Sequence, residues 1–255
     1  MSDVGFALIL TLLAGLATGV GGLVVLFSKL SNKRILAVSL SFAAGVMLYI
    51  SFAEILFKSF EVLENEFAEG IGYGLATVAF FAGIVLIALI DRFMPHKGSG
   101  KELERTGKMS ALAIAIHNFP EGFLTFMAAM HDPALGVAVA FAVAMHNIPE
   151  GIAMAKPIYY GTGSRKKAIG YAFASGLTEP LGGLLAWLML RSLFDEMNII
   201  FGLSFAFVGG IMVFVSIAQL LPAAKKYDEK NMVVRWLFIG MAFMALSLVL
   251  IELLV

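Results

Sequence analysis

The sequence predicts an all-α integral membrane protein with eight transmembrane helices in a three-plus-two-plus-three arrangement with inverted repeats. Three observations predict it. Hydrophobic residues make up 60% of the chain and charged residues 14%, with a mean hydropathy of +0.92, whereas a soluble domain carries roughly a quarter charged residues. Apolar runs close to the ~20 helical residues that cross a ~30 Å hydrocarbon layer recur along the whole length. Two pairs of these runs also repeat each other's residues.

The first run, 4–27, is preceded by Asp3 alone and followed by Lys29, Lys33 and Arg34. A secretory leader has its basic residues first, so this run is expected to stay as a helix. The second, 35–56, leads into an acidic stretch of Glu61, Glu64, Glu66 and Glu69, read as a solvated face. The third, 71–90, ends at Asp91 and Arg92, which are expected to reach the interface as long polar side chains do. A connection containing His96, Gly98, Ser99 and Gly100 is the one flexible linker. The fourth and fifth, 111–130 and 134–155, are separated by His131 and Asp132, expected to be solvated. GTGSRKK follows them and lacks the spacing of a phosphate-binding loop. The last three runs are 168–190, 199–221 and 233–255, with Arg191 and Glu252 near span ends. No linker is long enough to hold a second domain, so residues 1–255 form one transmembrane unit.

Of the 18 Lys and Arg residues, all but Lys58 and Arg191 lie on or beside the odd-numbered connections. The positive-inside rule places those connections in the cytoplasm and both termini outside, in a cell membrane. The absence of cysteine removes disulfides, thiolate metal sites and cysteine nucleophiles. A net charge of zero without a basic stripe gives nucleic acid no footing.

The repeats carry the architecture. ALAIAIHNFPEG (111–122) and AFAVAMHNIPEG (140–151) share eight of twelve positions, and GVMLYISFAE (45–54) aligns without gaps to GIMVFVSIAQ (210–219) with four identities. Under the charge-derived topology both pairs cross the membrane in opposite directions. They are therefore inverted repeats about an axis in the membrane plane, an arrangement typical of secondary transporters with a midplane site.

Ionisable side chains inside apolar spans are costly and mark function. On a helix, His117 and Glu121 share a face, Asn118 neighbours Glu121, and His146, Asn147 and Glu150 repeat that geometry. Pro120 and Pro149 lack an N–H and loosen the helix there, and Glu179 beside Pro180 adds a third carboxylate halfway along the sixth run. Imidazole with carboxylate and amide oxygen suits Zn²⁺, Fe²⁺, Mn²⁺, Co²⁺ or Cd²⁺ rather than Cu⁺. A hydrogen-bonded packing network is the plain alternative, but it has little need for three carboxylates at one depth. A membrane-embedded zinc hydrolase is the alternative from another class; His-Glu-x-x-His, its usual mark, is absent. A metal sensor without flux is a third. Glu54 and Gln219, related by the second repeat, are candidate gates at the two ends of a pathway, while Ser51 and Ser216 are expected to be packing hydroxyls.

HNFPEG and HNIPEG on consecutive helices, with SGLTEPLGG on the next, resemble the ZIP (Zrt/Irt-like) family of metal transporters, and its bacterial zinc-uptake branch most. The resemblance covers the whole chain, including FAAGVM and GTGSRKKA. It implies an eight-helix fold importing divalent metal through a binuclear site, with the metal as transported substrate and no catalytic cofactor. The first position would use His117, Glu121, His146 and Glu150. The second would use Asn118, Asn147 and Glu179, bridged by Glu121 and Glu150. The chain departs from the family pattern at Gln219, where relatives often carry a carboxylate, and at Phe57, where a proline is expected; a histidine-rich loop is reduced to His96. The expected partners are divalent metal ions and lipid, with a homodimer the one protein association considered.

Overall fold

The computed structural model describes residues 3–30, 32–68, 70–93, 102–189, 197–228 and 231–253. Among these, eight helices follow one another. They are α1 (Asp3–Gly22, tightened to a 3₁₀ turn over Leu23–Leu26), α2 (Lys33–Ile50, Ser51–Leu56 and Phe57–Glu66), α3 (Ile71–Phe93) and α4 (Glu102–His131). Then come α5 (Pro133–Thr162), α6 (Arg165–Gly176 and Thr178–Met189), α7 (Met197–Val215, Ser216–Leu220 and Leu221–Lys225) and α8 (Met232–Glu252). Lys97, Lys101, Arg191 and Lys230 of the charge pattern, with Glu69, His96, residues 98–100, the side chain of Glu252 and the expected helix ends at 190 and 255, lie outside the described residues.

Six of the helices are long and apolar enough to cross a membrane: α1, α2, α3, α5, α7 and α8. The other two are the polar-cluster helix α4 and α6, which is divided at Leu177. Pro180 has no N–H for the carbonyl of Gly176, so the division falls one turn before the Glu-Pro pair. Several helices outrun the apolar windows because their ends are set by caps, not by hydrocarbon. Asn32 accepts from Ile35 N at 3.0 Å, Asp132 from the backbone of Ala134 and Leu135, and Ser164 from Lys167 N. Gly163, at φ 70°, closes α5 in the left-handed conformation that glycine adopts without strain. At 34 residues, α2 would measure about 50 Å and carries Glu61, Glu64 and Glu66 past the bilayer.

The inverted repeats are visible as matching contacts. α2 and α7 each widen to one π-helical segment, starting at Ser51 and Ser216, which align in the repeat. Each serine donates its hydroxyl to the carbonyl four residues back, Met47 O at 2.6 Å and Met212 O at 2.8 Å. Such bonds bend a helix rather than join two, which refines the expected packing role. A Cβ at Gly45 of α2 would collide with the Leu237 carbonyl of α8, and one at Gly240 of α8 with the Phe42 carbonyl. The same reciprocal contact joins Gly210 of α7 to Phe80 of α3 and Gly83 of α3 to Phe207. Each half thus lays its third helix against the second helix of the other half. The interlocked outer pairs flank a central bundle of α1, α4, α5 and α6.

Candidate metal centre

α4 and α5 run antiparallel and unbroken past Pro120 and Pro149, bringing the two copies of the polar cluster face to face. His146 Nε2 lies 2.7 Å from Glu121 Oε1, and His117 Nε2 lies 3.0 Å from the same oxygen. His117 Nε2 is also 3.6 Å from Glu150 Oε1, and the two imidazole centroids are 6.1 Å apart. His117, Glu121 and His146 offer ligand atoms that all lie within 4.8 Å of one another. Asn147 Nδ2 donates to Glu179 Oε1, tying α6 to the cluster. The structure buries all seven predicted site residues, His117, Asn118, Glu121, His146, Asn147, Glu150 and Glu179, to 5% exposure or less; it brings His117, Glu121, His146 and Glu150 together, pairs Asn147 with Glu179, and holds Asn118 against Thr18 and Ser175.

Six of the seven leave a buried polar atom without a hydrogen-bond partner. They are Asn118 Oδ1, Glu121 Oε2, His146 Nδ1, Asn147 Oδ1, both oxygens of Glu150, and Glu179 Oε2. A packing network would satisfy these atoms, because an unsatisfied buried polar group costs about 1–3 kcal/mol. With ligand atoms of His117, Glu121 and His146 within reach of one ion and unpartnered polar atoms around them, the cluster is a candidate ligand-binding site. Close helix approach holds it together: Gly122 sits on the Glu179 carbonyl and Gly182 on the Phe119 carbonyl, where no Cβ fits.

A cavity of about 420 Å³ reaches Glu121 and His146 from the end of the bundle where the α2–α3 and α4–α5 connections lie. Glu54 lines it, 3.5 Å from Lys58. Toward the basic end the described residues next to the cluster are tightly packed. Met109, Ile114, Met154 and Ile158 are wholly buried there, and Lys156 Nζ donates to Ser39 Oγ at 2.6 Å. Gln219 is away from the buried His/Glu cluster and donates to Asp91 Oδ1 at 2.8 Å; Asp91 in turn holds Arg105 at 2.5 Å. Asp91 was expected to reach the interface, but it is instead the centre of a clasp joining α3, α4 and α7.

Residues 97–248, more than half of the chain, match the ZIP zinc transporter family. The chain belongs to that family. Its relatives include the zinc transporter ZupT of Oceanobacillus iheyensis, 46% identical over 269 aligned positions that cover 98% of this chain and 100% of the relative. The ZupT of Chlorobaculum parvum is 48% identical, covering 98% and 99%, and that of Nitratidesulfovibrio vulgaris 47%, covering 94% and 95%. Membership in a transporter family sets the hydrolase alternative aside: this ZIP chain is a multi-pass membrane transporter and not an enzyme.

Sequence reasoning missed two polar residues of the ZIP core. Thr125, one turn beyond Glu121, has a buried hydroxyl with no partner. Thr18 of α1 accepts from Asn118 Nδ2 at 3.3 Å. The signal for Thr18 was present: LATGVGGL (16–23) aligns without gaps to LTEPLGGL (177–184), placing Thr18 opposite Glu179.

Proposed function

We propose that this ZIP chain imports Zn²⁺ into the cytoplasm of its cell through the buried cluster, and also accepts Fe²⁺, Mn²⁺, Co²⁺ or Cd²⁺. The observation that carries the proposal is that His117, Glu121 and His146 offer converging ligand atoms while six of the seven side chains keep a buried polar atom unpartnered. In this reading His117, Glu121, His146 and Glu150 hold a first ion. Asn118, Asn147 and Glu179 hold a second, with Glu121 and Glu150 bridging. The donor set of nitrogen and oxygen suits borderline divalent ions. Zinc is favoured among them because the curated relatives are zinc transporters.

The cavity meets the cluster from the acidic end, which the charge pattern puts outside, while toward the basic end the described residues beside the cluster, Met109, Ile114, Met154 and Ile158, are wholly buried. That is the form expected of a carrier that alternates access by moving one helix group against another. Both termini then lie outside the cell membrane. Protons and metal compete for the same carboxylate oxygens. An inside-negative potential of 100 mV favours accumulation of a doubly charged ion by about 4.6 kcal/mol, at ~2.3 kcal/mol per charge, which suffices without ATP.

The test is Zn²⁺ uptake into proteoliposomes under an imposed inside-negative potential, with internal pH followed. Wild type should accumulate Zn²⁺ in a voltage-dependent way, and Glu121→Ala, which loses the carboxylate shared by both histidines, should not. Equal uptake by the two proteins would refute the assignment of the site.

A further inference from the structure

The two amides at the second metal position are oriented by matching partners from opposite halves of the molecule. Asn147 Nδ2 donates to Ala14 O at 3.0 Å and to Glu179 Oε1. Asn118 Nδ2 donates to Ser175 O and to Thr18 Oγ1, both at 3.3 Å. Carbonyls can only accept, so each amide must turn its nitrogen toward α1 or α6, which leaves each Oδ1 free. Ala14 pairs with Ser175, and Thr18 with Glu179, at the same sequence offset that relates Gly15 to Gly176.

The backbone obeys the same relation. Gly15 and Gly176 each press on the other's carbonyl, so α1 and α6 cross at the pseudo-two-fold axis. A Cβ built on Gly15 would lie 3.2 Å from Glu179 Cβ, and one built on Gly176 would lie 3.2 Å from Thr18 Cβ. Gly122 of α4 faces the carbonyl of Glu179, and Gly151 of α5 faces that of Thr18. Thr18 is thus held as Glu179 is, with a hydroxyl in place of a carboxylate, and is fully buried.

We propose that Thr18 is a positioning residue of the second metal position, the α1 counterpart of Glu179. Its hydroxyl holds the Asn118 amide so that Oδ1 is presented to the ion, while leaving that corner of the site without charge. The two halves therefore divide the work: α6 supplies orientation and a negative charge, and α1 supplies orientation alone. This inference rests on the two-position reading above.

The experiment is calorimetric titration of the purified full chain in lipid nanodiscs with Zn²⁺, resolving the two equivalents. Thr18→Val keeps the shape and removes the hydroxyl. It should weaken the second equivalent by about 10-fold or more, within the 10–100-fold effect of partners that orient metal ligands, and leave the first unchanged. Thr18→Ser should restore it. Glu179→Thr should abolish the second equivalent, and the swapped pair Thr18→Glu with Glu179→Thr should regain it, because the pseudo-two-fold exchanges the roles of Asn118 and Asn147. The swap decides the matter if Thr18→Val does not fold. Two equivalents in wild type with Thr18→Val unaltered, or no recovery in the swapped pair, would overturn the role of Thr18 alone. A wild type that binds a single equivalent would overturn the two-position reading and this inference with it.

Discussion

One oxygen of Glu121 serves imidazoles from two helices, at 2.7 and 3.0 Å, and the other is buried without a partner. The seven residues were legible in the sequence as site candidates for an energetic reason: a His, Asn or Glu in an apolar run is costly enough to stand out. Thr18 was not, because a threonine can satisfy its hydroxyl on its own helix and so raises no such alarm. Exposed residues follow ordinary rules and permit a separate prediction. Asp132 accepts two backbone N–H groups at the start of α5, Leu135 N and Ala134 N, which hold its carboxyl below the ordinary value of about 3.9. A carboxyl lowered on folding stabilises the folded state above that ordinary value, and the contribution is lost as pH falls through the lowered one. Asp132→Ala should therefore lower the thermal midpoint at neutral pH. The difference from wild type should vanish in strong acid; a gap that persists there would show that the cap acts through something other than its charge.

At the level of helices, apolar windows located the helices but not where they begin, end or widen. α4 starts at Glu102 and α5 continues to Thr162, because turns outside the hydrocarbon can stay helical with polar residues. The π-helical segments of α2 and α7 were invisible as such, although the repeated serines that anchor them were aligned. The division of α6 could have been read from Pro180. The glycines at the interlocked pairs admit no Cβ, since the facing atoms are backbone carbonyls that cannot turn aside. Gly83→Ala and Gly240→Ala should each destabilise the protein by about 1–3 kcal/mol, the usual cost of overpacking, seen as a lower melting temperature in detergent. Their equivalent places in the two halves call for similar losses; a large effect at one and none at the other would argue against the equivalence of α3 and α8.

For the molecule as a whole, the charge of the connections and two aligned repeats made the eight-helix, inverted architecture legible. The interlocking of the halves was not, because which helix packs on which depends on glycine contacts far apart in sequence. The third repeat, α1 with α6, was blurred by the exchange of Glu179 for Thr18. The clasp at the basic end shows what such exchanges can do. Asp91, Arg105 and Gln219 correspond, through the relations of α3 to α8, α4 to α5 and α2 to α7, to Leu248, Ala134 and Glu54. Leu248 and Glu54 line the open cavity. A molecule whose halves were identical would rest with equal weight facing either side, like a balance with equal pans. In the proposed alternating carrier the clasp would be a weight placed in one pan. Asp91→Ala should lift it: hydrogen exchange over Leu221–Lys225 should quicken while α3 and α7 stay folded, and unchanged exchange would show that the balance is weighted elsewhere. A few polar atoms at one end, remote from the candidate site, would then set which side the empty carrier faces while it waits.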